Sequence, residues 1–184
     1  MISGVRMESY NSQLKETETK DGEVKYLPAG KQSANIRLDW RAPQQEILSV
    51  VDGNYILYRP RLNTVYRGKT KEAQKSQNVG NSLSFIGMSG AELKQNFDAK
   101  WISDGEQLAD GTNAYKMKLT PKTAANYNYA EIWVTEDGMP VQVKIYEKNG
   151  DTTNVLLYNM RKNAKVGKND LKVSVPKDAK EIKG

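Results

Sequence analysis

Residues 36–59 read IRLDWRAPQQEILSVVDGNYILYR and show most clearly the pattern that repeats along the chain. At its start the apolar Ile36, Leu38 and Trp40 alternate with charged residues. This alternation is typical of a β-strand with one buried face and one solvated face. A second apolar run ends in the Asp-Gly pair at 52–53, which predicts a tight hairpin into a third apolar run. The stretch therefore predicts consecutive antiparallel strands.

The period of two continues through much of the chain and predicts a meander of strands. A phase slip between Met7 and Tyr10 predicts a bulge in the first strand, and the Asp-Gly pair at 21–22 predicts the turn that follows it. The regular spacing of strands and tight turns indicates one antiparallel sheet. Strands are expected at residues 2–17, 34–40, 46–51, 55–59, 61–67, 101–107, 112–120, 130–135, 141–148, 153–160 and 171–175.

The alternation stops between Gly68 and Phe97. Residues 69–78 are polar with a helical composition, and Ser89 followed three positions later by Glu92 forms a capping box that predicts a short helix. About two short helices are expected in this segment. A long excursion of this kind inside a compact domain is typical of a lid. The pattern thus predicts a curved sheet with a helical cap over its concave side.

Composition excludes several classes of function. The chain has no Cys and no His, which removes disulfides, thiolate chemistry, zinc-thiolate sites and the usual general base. Phosphate-binding glycine motifs are missing, and carboxylate pairs such as Asp98 with Asp104 are expected to be turn and solvent-face residues. We therefore expect no enzyme activity, no metal and no cofactor. The 184 residues are expected to form one domain spanning 1–184.

The net charge of +6 is spread along the chain, with its densest groups at residues 69–75 and 162–183. No basic stripe is interleaved with aromatic residues, so we expect no binding to nucleic acid. No apolar run reaches the roughly 20 residues of a membrane span. Met1 is followed directly by strand-like sequence, and we expect that any leader peptide has been trimmed from this start.

The apolar side of the predicted strands remains to be explained. Two interpretations stay open at this point: an ordinary core packed against helices, or a ligand cavity. The ligand-cavity interpretation arises because the predicted helical segments are few and short. A wide open sheet would then expose an apolar patch of the size that marks binding sites. The residues concerned are Ile36, Leu38, Trp40, Met117, Leu119, Ile132, Val134, Val141, Val143, Ile145, Val155 and Leu157.

The segment from Ile36 to Arg67 resembles the LolA-like family of bacterial periplasmic lipoprotein carriers. The family pattern is an apolar-Arg-apolar-Asp-aromatic strand, a proline, an apolar strand ending in Asp-Gly, and an aromatic strand ending in Tyr-x-Pro-x-Leu-x-x-Val. The similarity runs over nearly the whole chain from about Gly4. The matching positions are Ile36 to Trp40, Pro43, Ile47 to Gly53, Tyr58, Pro60, Leu62, Val65, Leu119 to Pro121, Ile132 to Val134, Gly138, Pro140, Val173, Val175 and Pro176.

The resemblance implies a mainly β fold with a few short helices (α+β): an unclosed antiparallel β half-barrel with a helical lid over a hydrophobic cavity. It implies a soluble periplasmic monomer that shields the acyl chains of lipoproteins, or related lipids, for transfer to the outer membrane. An inner-membrane releasing transporter and an outer-membrane acceptor are the implied partners. The expected cavity wall is Leu38, Trp40, Leu57, Met117, Leu119, Ile132, Val134, Val143, Val155 and Leu157, and the expected lid is Leu83, Phe85, Ile86, Met88 and Leu93.

The chain departs from the family pattern in two places. The family begins with a helix that forms part of the lid, and this chain is expected to lack it. Where the family often carries Lys-Arg-Pro, with an arginine that latches the lid, this chain has Lys31, Gln32 and Ser33. Relatives on this scaffold also act as sensors or acceptors, so the alternative function is an interaction module that binds a protein partner. That alternative predicts a filled cavity and no lipid uptake.

Overall fold

The structure is a computed structural model that describes residues 1–29, 32–70, 85, 88, 90–108 and 111–183. Its one α-helix with described bounds is α1 (Gly90–Asn96), and 3-10 helices lie at Pro60–Leu62 and Lys168–Leu171. The strands are β1 (Ile2–Asn11), β2 (Glu16–Ala29), β3 (Gln32–Ala42), β4 (Glu46–Val51), β5 (Asn54–Arg59), β6 (Thr64–Lys69), β7 (Phe97–Gln107), β8 (Asn113–Pro121), β9 (Tyr127–Val134), β10 (Pro140–Glu147), β11 (Thr152–Arg161) and β12 (Lys180–Lys183).

All of these strands belong to a single sheet in the order β12-β6-β5-β4-β3-β2-β1-β11-β10-β9-β8-β7. Every neighbouring pair is antiparallel except β12 and β6, which run parallel. In the described part of the chain β7 and β12 form the two edges, so the half-barrel is unclosed. This confirms the predicted mainly β fold, with the parallel pair as an addition.

The Asp-Gly pair at 52–53 makes the predicted hairpin between β4 and β5. Asp52 has φ of 50° and Gly53 has φ of 77°. Both values lie in the left-handed region that a two-residue hairpin turn of this type requires. The turn residues therefore account for the pairing of β4 with β5, and the prediction is confirmed.

The Asp-Gly pair at 21–22 does not make a turn, and that prediction was wrong. The chain reverses at residues 12–15, and Gly22 lies inside β2, paired across the ladder with Trp40. A Cβ on Gly22 would come 2.4 Å from the backbone carbonyl oxygen of Asp39, closer than real Cβ contacts allow. The lack of a side chain at Gly22 therefore allows β2 and β3 to approach each other closely.

Two further strand predictions need correction. The predicted bulge between Met7 and Tyr10 is not present, because β1 pairs with β2 without a break from Ile2 to Asn11. Residues 171–175 do not form a strand; the last strand is β12, which lies later in the chain. Residues 122–126 form an irregular link between β8 and β9.

The C-terminal segment lies across one face of β3 and β4 before it joins the sheet edge as β12. Leu171 is fully buried there. Its carbonyl oxygen accepts a hydrogen bond of 2.7 Å from the Ser49 hydroxyl, and the neighbouring carbonyl of Lys172 accepts one from Arg37. This segment covers the outer face of that half of the sheet, which leaves the opposite face for the site described next.

Helix α1 agrees with the short helix predicted from the capping box, and it leads directly into β7. Ser89, the first residue of that box, lies outside the described residues, as does most of the other predicted helix at 69–78. Within the part of the chain that the structure describes, no helix is long and apolar enough to cross a membrane.

Candidate functional site

One face of the sheet, called here the inner face, is apolar from β5 to β7. Residues paired directly across a ladder point to the same face, so the strand registers define this surface. Along β1, Ser3, Val5 and Met7 alternate onto the inner face and join its two halves. The line of paired residues is Leu57, Leu48, Leu38, Val24 and Ser3 in one half, and Met7, Val155, Val143, Ile132, Met117 and Trp101 in the other.

The ten side chains predicted as cavity wall all lie on the inner face, in two groups. In the first cluster, formed by β1 to β5 and β11, they pack with Val5 and Val24. In the second cluster, formed by β7 to β10, they pack with Ala130 and Ile145. The first group is Leu38, Trp40, Leu57, Val155 and Leu157, and the second is Met117, Leu119, Ile132, Val134 and Val143. Their role in lipid binding stays a prediction.

The described residues of the predicted lid pack on the second cluster. Phe85 is buried and its ring lies against Phe97, with centroids 5.3 Å apart, and against Tyr127 at 6.0 Å. Met88 and Leu93 are half-buried against the same cluster. The other two predicted lid residues, Leu83 and Ile86, lie outside the described residues. The cap side chains that are described thus meet one half of the inner face.

The sequence analysis missed several residues of this surface. Val5, Val24, Leu48 and Phe97 are all buried in the two clusters. Val5 and Val24 stand alone among polar neighbours, so their strands have no strong apolar run. The sequence feature that could have identified Val24 is its position in the alternation of the strand. Val24 and Tyr26 are two residues apart, so both side chains point to the inner face.

Charged side chains gather at one end of the inner face. Arg59 donates from Nε to Glu46 Oε1 at 2.7 Å, and Lys20 Nζ lies 3.5 Å from Glu46 Oε2. The Arg59 guanidinium also stands over the Tyr66 ring, 5.3 Å from its centroid. These groups border the apolar surface, because Glu46 pairs across the ladder with Trp40.

The outer face of the β8–β10 region is polar and internally paired. Lys118 Nζ lies 3.8 Å above the Tyr129 ring, and Lys116 Nζ forms an ion pair of 3.1 Å with Glu131. Burial, aided by the nearby Glu131 carboxylate, raises the pKa of Tyr146 to about 12. These lysines contact aromatic rings or a carboxylate on the same face, so this surface supports the sheet.

The structure assigns the acidic pair of the sequence analysis to separate roles. Asp98 lies 3.9 Å from Lys122, whereas the Asp104 carboxylate accepts a hydrogen bond from the indole of Trp101. Across the described residues, no group of three or more Asp or Glu side chains is arranged to hold a metal ion. These carboxylates therefore have structural partners.

The comparison with known proteins agrees with this geometry. The family described as "Outer membrane lipoprotein carrier protein LolA" matches residues 10–173. No curated protein matches the chain. An uncharacterized conserved protein from Thermus thermophilus superposes with a TM-score of 0.62 at 13% identity, covering 100% of this chain and 91% of that one.

A second similar structure is the MucA/MucB complex of Pseudomonas aeruginosa. Its matching chain superposes with a TM-score of 0.54 at 11% identity, and the match covers 95% of this chain and 56% of that one. The present chain thus spans little more than half of that relative. At these identities the two likenesses concern the fold alone.

Proposed function

The chain belongs to the LolA family of outer membrane lipoprotein carrier proteins, and from this membership we propose that it carries the acyl chains of lipoproteins or related lipids on its inner face. The observation that carries the proposal is the apolar surface from Leu57 to Trp101, which crosses ten strands of an unclosed sheet. A surface of this extent fits a ligand that is long, apolar and flexible.

The energetics of acyl-chain burial are sufficient for carriage without a specific polar contact. Each buried CH2 group contributes roughly 0.8 kcal/mol, so a chain of about 15 such groups contributes about 12 kcal/mol before ordering costs. Ser3 is a buried polar side chain on this face, and its hydroxyl is hydrogen-bonded to the carbonyl oxygens of Gly4 and Tyr158. The wall therefore offers apolar contact that does not discriminate between chains.

The segment predicted as the lid adds a free-energy cost to the binding of an acyl chain. Phe85 occupies the second cluster in the structure, so a chain that binds there must displace its ring from Phe97 and Tyr127. The observed affinity is then the intrinsic affinity of the open state reduced by the fraction of molecules that are open. Such a cap would retain cargo in transit and release it when a partner favours opening.

We place this carrier in the periplasm as a single-domain monomer. Cargo would be loaded by an inner-membrane transporter and delivered to an outer-membrane acceptor. Family membership supports this assignment, and the absence of Cys from the sequence is compatible with an oxidising compartment. No step of the proposed cycle requires an enzyme activity or a cofactor.

Native mass spectrometry of the protein purified from a bacterial host tests the proposal. We expect adducts at phospholipid or acylated-peptide masses, and we expect Leu119→Asp to remove them because Leu119 is buried on the inner face. Thr120→Asp is the matched control, since it places the same carboxylate one residue away on the exposed, opposite face. Unchanged far-UV circular dichroism must show that both variants are folded.

A protein-binding module is the second candidate function. The complex of MucB with MucA is a case of this scaffold with a protein partner. In the present chain, Trp101 is 50% exposed and Ile102 is 44% exposed on the edge strand β7, where a partner could dock. A clean mass without adducts, together with failure to load a fluorescent fatty acid, would favour this candidate over the carrier.

A further inference from the structure

We infer that the charged end of the inner face holds the anionic headgroup, a phosphate or carboxylate, of an amphiphile whose acyl chain lies on the apolar wall. The inference rests on the proposed function, and it adds a preference for the charge of the cargo.

The inner face has a polarity gradient along its strands. At the described strand positions that point to this face, every charged side chain lies at the end where β5 finishes and β4 begins, and the rows beyond that end are apolar. A face with one charged end and one apolar body matches an amphiphile in outline. These charged residues are Glu16, Glu18, Lys20, Glu46, Arg59, Glu147 and Lys180.

The charged end is most positive around Thr64. Arg59 and Lys180 pair with Thr64 across the ladders on its two sides. Glu46 is the carboxylate bonded to Arg59, at 2.7 Å, and it also lies 3.5 Å from Lys20. Lys20 has Glu18 at 3.8 Å as a second partner. Because two cations flank Thr64 and Glu46 is shared with Lys20, an added anion beside Thr64 would complete the neutralisation.

Arg59 retains donors for such an anion. A guanidinium group has five N–H donors in a planar fork, and the described hydrogen bond to Glu46 uses Nε. The Tyr66 ring supports one side of the guanidinium plane. The side chains of Arg59 and Lys20 are 33% and 24% exposed, so the groups are partly desolvated and still reachable. Charge-assisted bonds formed there are stronger than on an open surface.

A nearby hydroxyl gives an independent indication. Thr64 pairs with Arg59 across the β5–β6 ladder. Its Oγ1 is buried and has no hydrogen-bond partner in the part of the chain that the structure describes. Buried polar atoms are nearly always satisfied, and an exception indicates a group that is still to be supplied. A headgroup oxygen bound between Arg59 and Thr64 would supply it.

The headgroup position is continuous with the apolar wall. Leu57 precedes Arg59 by two residues on β5 and therefore points to the same face, and Trp40 pairs directly with Glu46. A chain that enters along Leu57 and Leu48 would leave its polar end beside Arg59 without crossing an unfavourable polar strand. The charged end thus fixes the direction of the bound amphiphile.

Isothermal titration calorimetry with three probes of equal chain length tests this inference. Decanoate, decanol and decylammonium differ in headgroup charge and share the same apolar chain. We expect decanoate to bind about tenfold more tightly than decanol, and decylammonium more weakly than decanol. In the Lys20→Gln/Arg59→Gln double variant the advantage of decanoate should disappear while decanol binding is kept, and decanol binding also shows that the variant is folded.

Two single variants sharpen the comparison. Glu46→Gln removes the carboxylate between the cations and should increase the preference for decanoate several-fold. Arg6→Gln is the matched control, because Arg6 forms its ion pair of 2.9 Å with Asp21 on the outer face, and it should leave the preference unchanged. Equal affinities for the three probes would overturn this inference and leave the carrier function standing. Failure of all three to bind would overturn both.

Discussion

The ring of Phe85 lies against the ring of Phe97 with a centroid distance of 5.3 Å, and this contact places a side chain of the protein itself on one half of the inner face. Phe97 is the first residue of β7 and belongs to the sheet, whereas Phe85 belongs to the segment predicted as the lid. Under the proposed function, a bound acyl chain would therefore have to compete with Phe85 for that part of the inner face.

Removing the competing ring should favour cargo. We expect Phe85→Ala to bind a fluorescent fatty acid several-fold more tightly, because less contact must be broken on loading. The same change should lower the free energy of unfolding by about 3 kcal/mol or more, since it leaves a cavity beside Phe97. Fluorescence titration and urea denaturation measure the two effects. Weaker probe binding by a folded variant would show that Phe85 forms part of the site and does not compete for it.

Gly22→Ala should destabilise the sheet, because the new Cβ would lie 2.4 Å from the Asp39 carbonyl oxygen. Forcing β2 and β3 apart at that point should cost about 1–3 kcal/mol in urea denaturation. Gly90→Ala is the control, since a Cβ there meets nothing within 4 Å and the residue begins α1. If the two variants were equally stable, the close approach of the strands at Gly22 would be disproved.

The C-terminal segment should contribute measurably to stability through Leu171, which is fully buried. We expect Leu171→Ala to lower the free energy of unfolding by about 2–5 kcal/mol. Ser49→Ala should cost about 1–3 kcal/mol, because it leaves the buried carbonyl of Leu171 without its donor. Val173→Ala, at a half-buried position, should cost less than either. An unfolding midpoint unaffected by Leu171→Ala would show that this segment is not docked on β3 and β4.

The pKa of Asp137 provides a test by titration. A hydrogen bond from Lys162, aided by one from the Thr135 hydroxyl, lowers the pKa of this exposed carboxyl from 3.8 to about 2. Because the folded-state pKa is depressed, the stabilising effect is present above pH 3.8 and is lost as the pH falls towards 2. Carbon-detected NMR should show the low midpoint, and Lys162→Gln should move it upward. A midpoint that does not move would exclude Lys162 as the cause.

Much of the fold could be predicted from local pattern. The turn at Asp52 and Gly53 and the alternation of Ile36, Leu38 and Trp40 give the hairpins their register. The face that a strand residue occupies depends only on its parity, and parity placed the ten residues predicted as cavity wall on one face. The capping box at Ser89 and Glu92 predicted a short helix, which the structure has as α1.

The sequence-based predictions were wrong where the structural role of a residue depends on a partner that is distant in sequence. Gly22 looked like a turn residue, but it allows β2 to approach β3 at Asp39. The pairing of β12 with β6 joins residues more than 110 positions apart, beginning with the hydrogen bond from the Lys180 amide to the Asn63 carbonyl, and no local pattern encodes it. The charged end of the inner face was missed for the same reason, because Arg59 and Lys20 meet at Glu46 from three different strands.

Trp40 and Trp133 provide the most direct test of the central claim, that acyl chains lie on the inner face. Both are buried, but Trp40 faces inward in the first cluster and Trp133 packs on the opposite side with Ala114. Two single-tryptophan proteins should be titrated with a bromine-labelled fatty acid. One keeps Trp40 and the other keeps Trp133, and in each the remaining two tryptophans are replaced by phenylalanine. The account predicts strong quenching of Trp40 emission and little quenching of Trp133 emission. Equal quenching of both, or quenching of Trp133 alone, would contradict it.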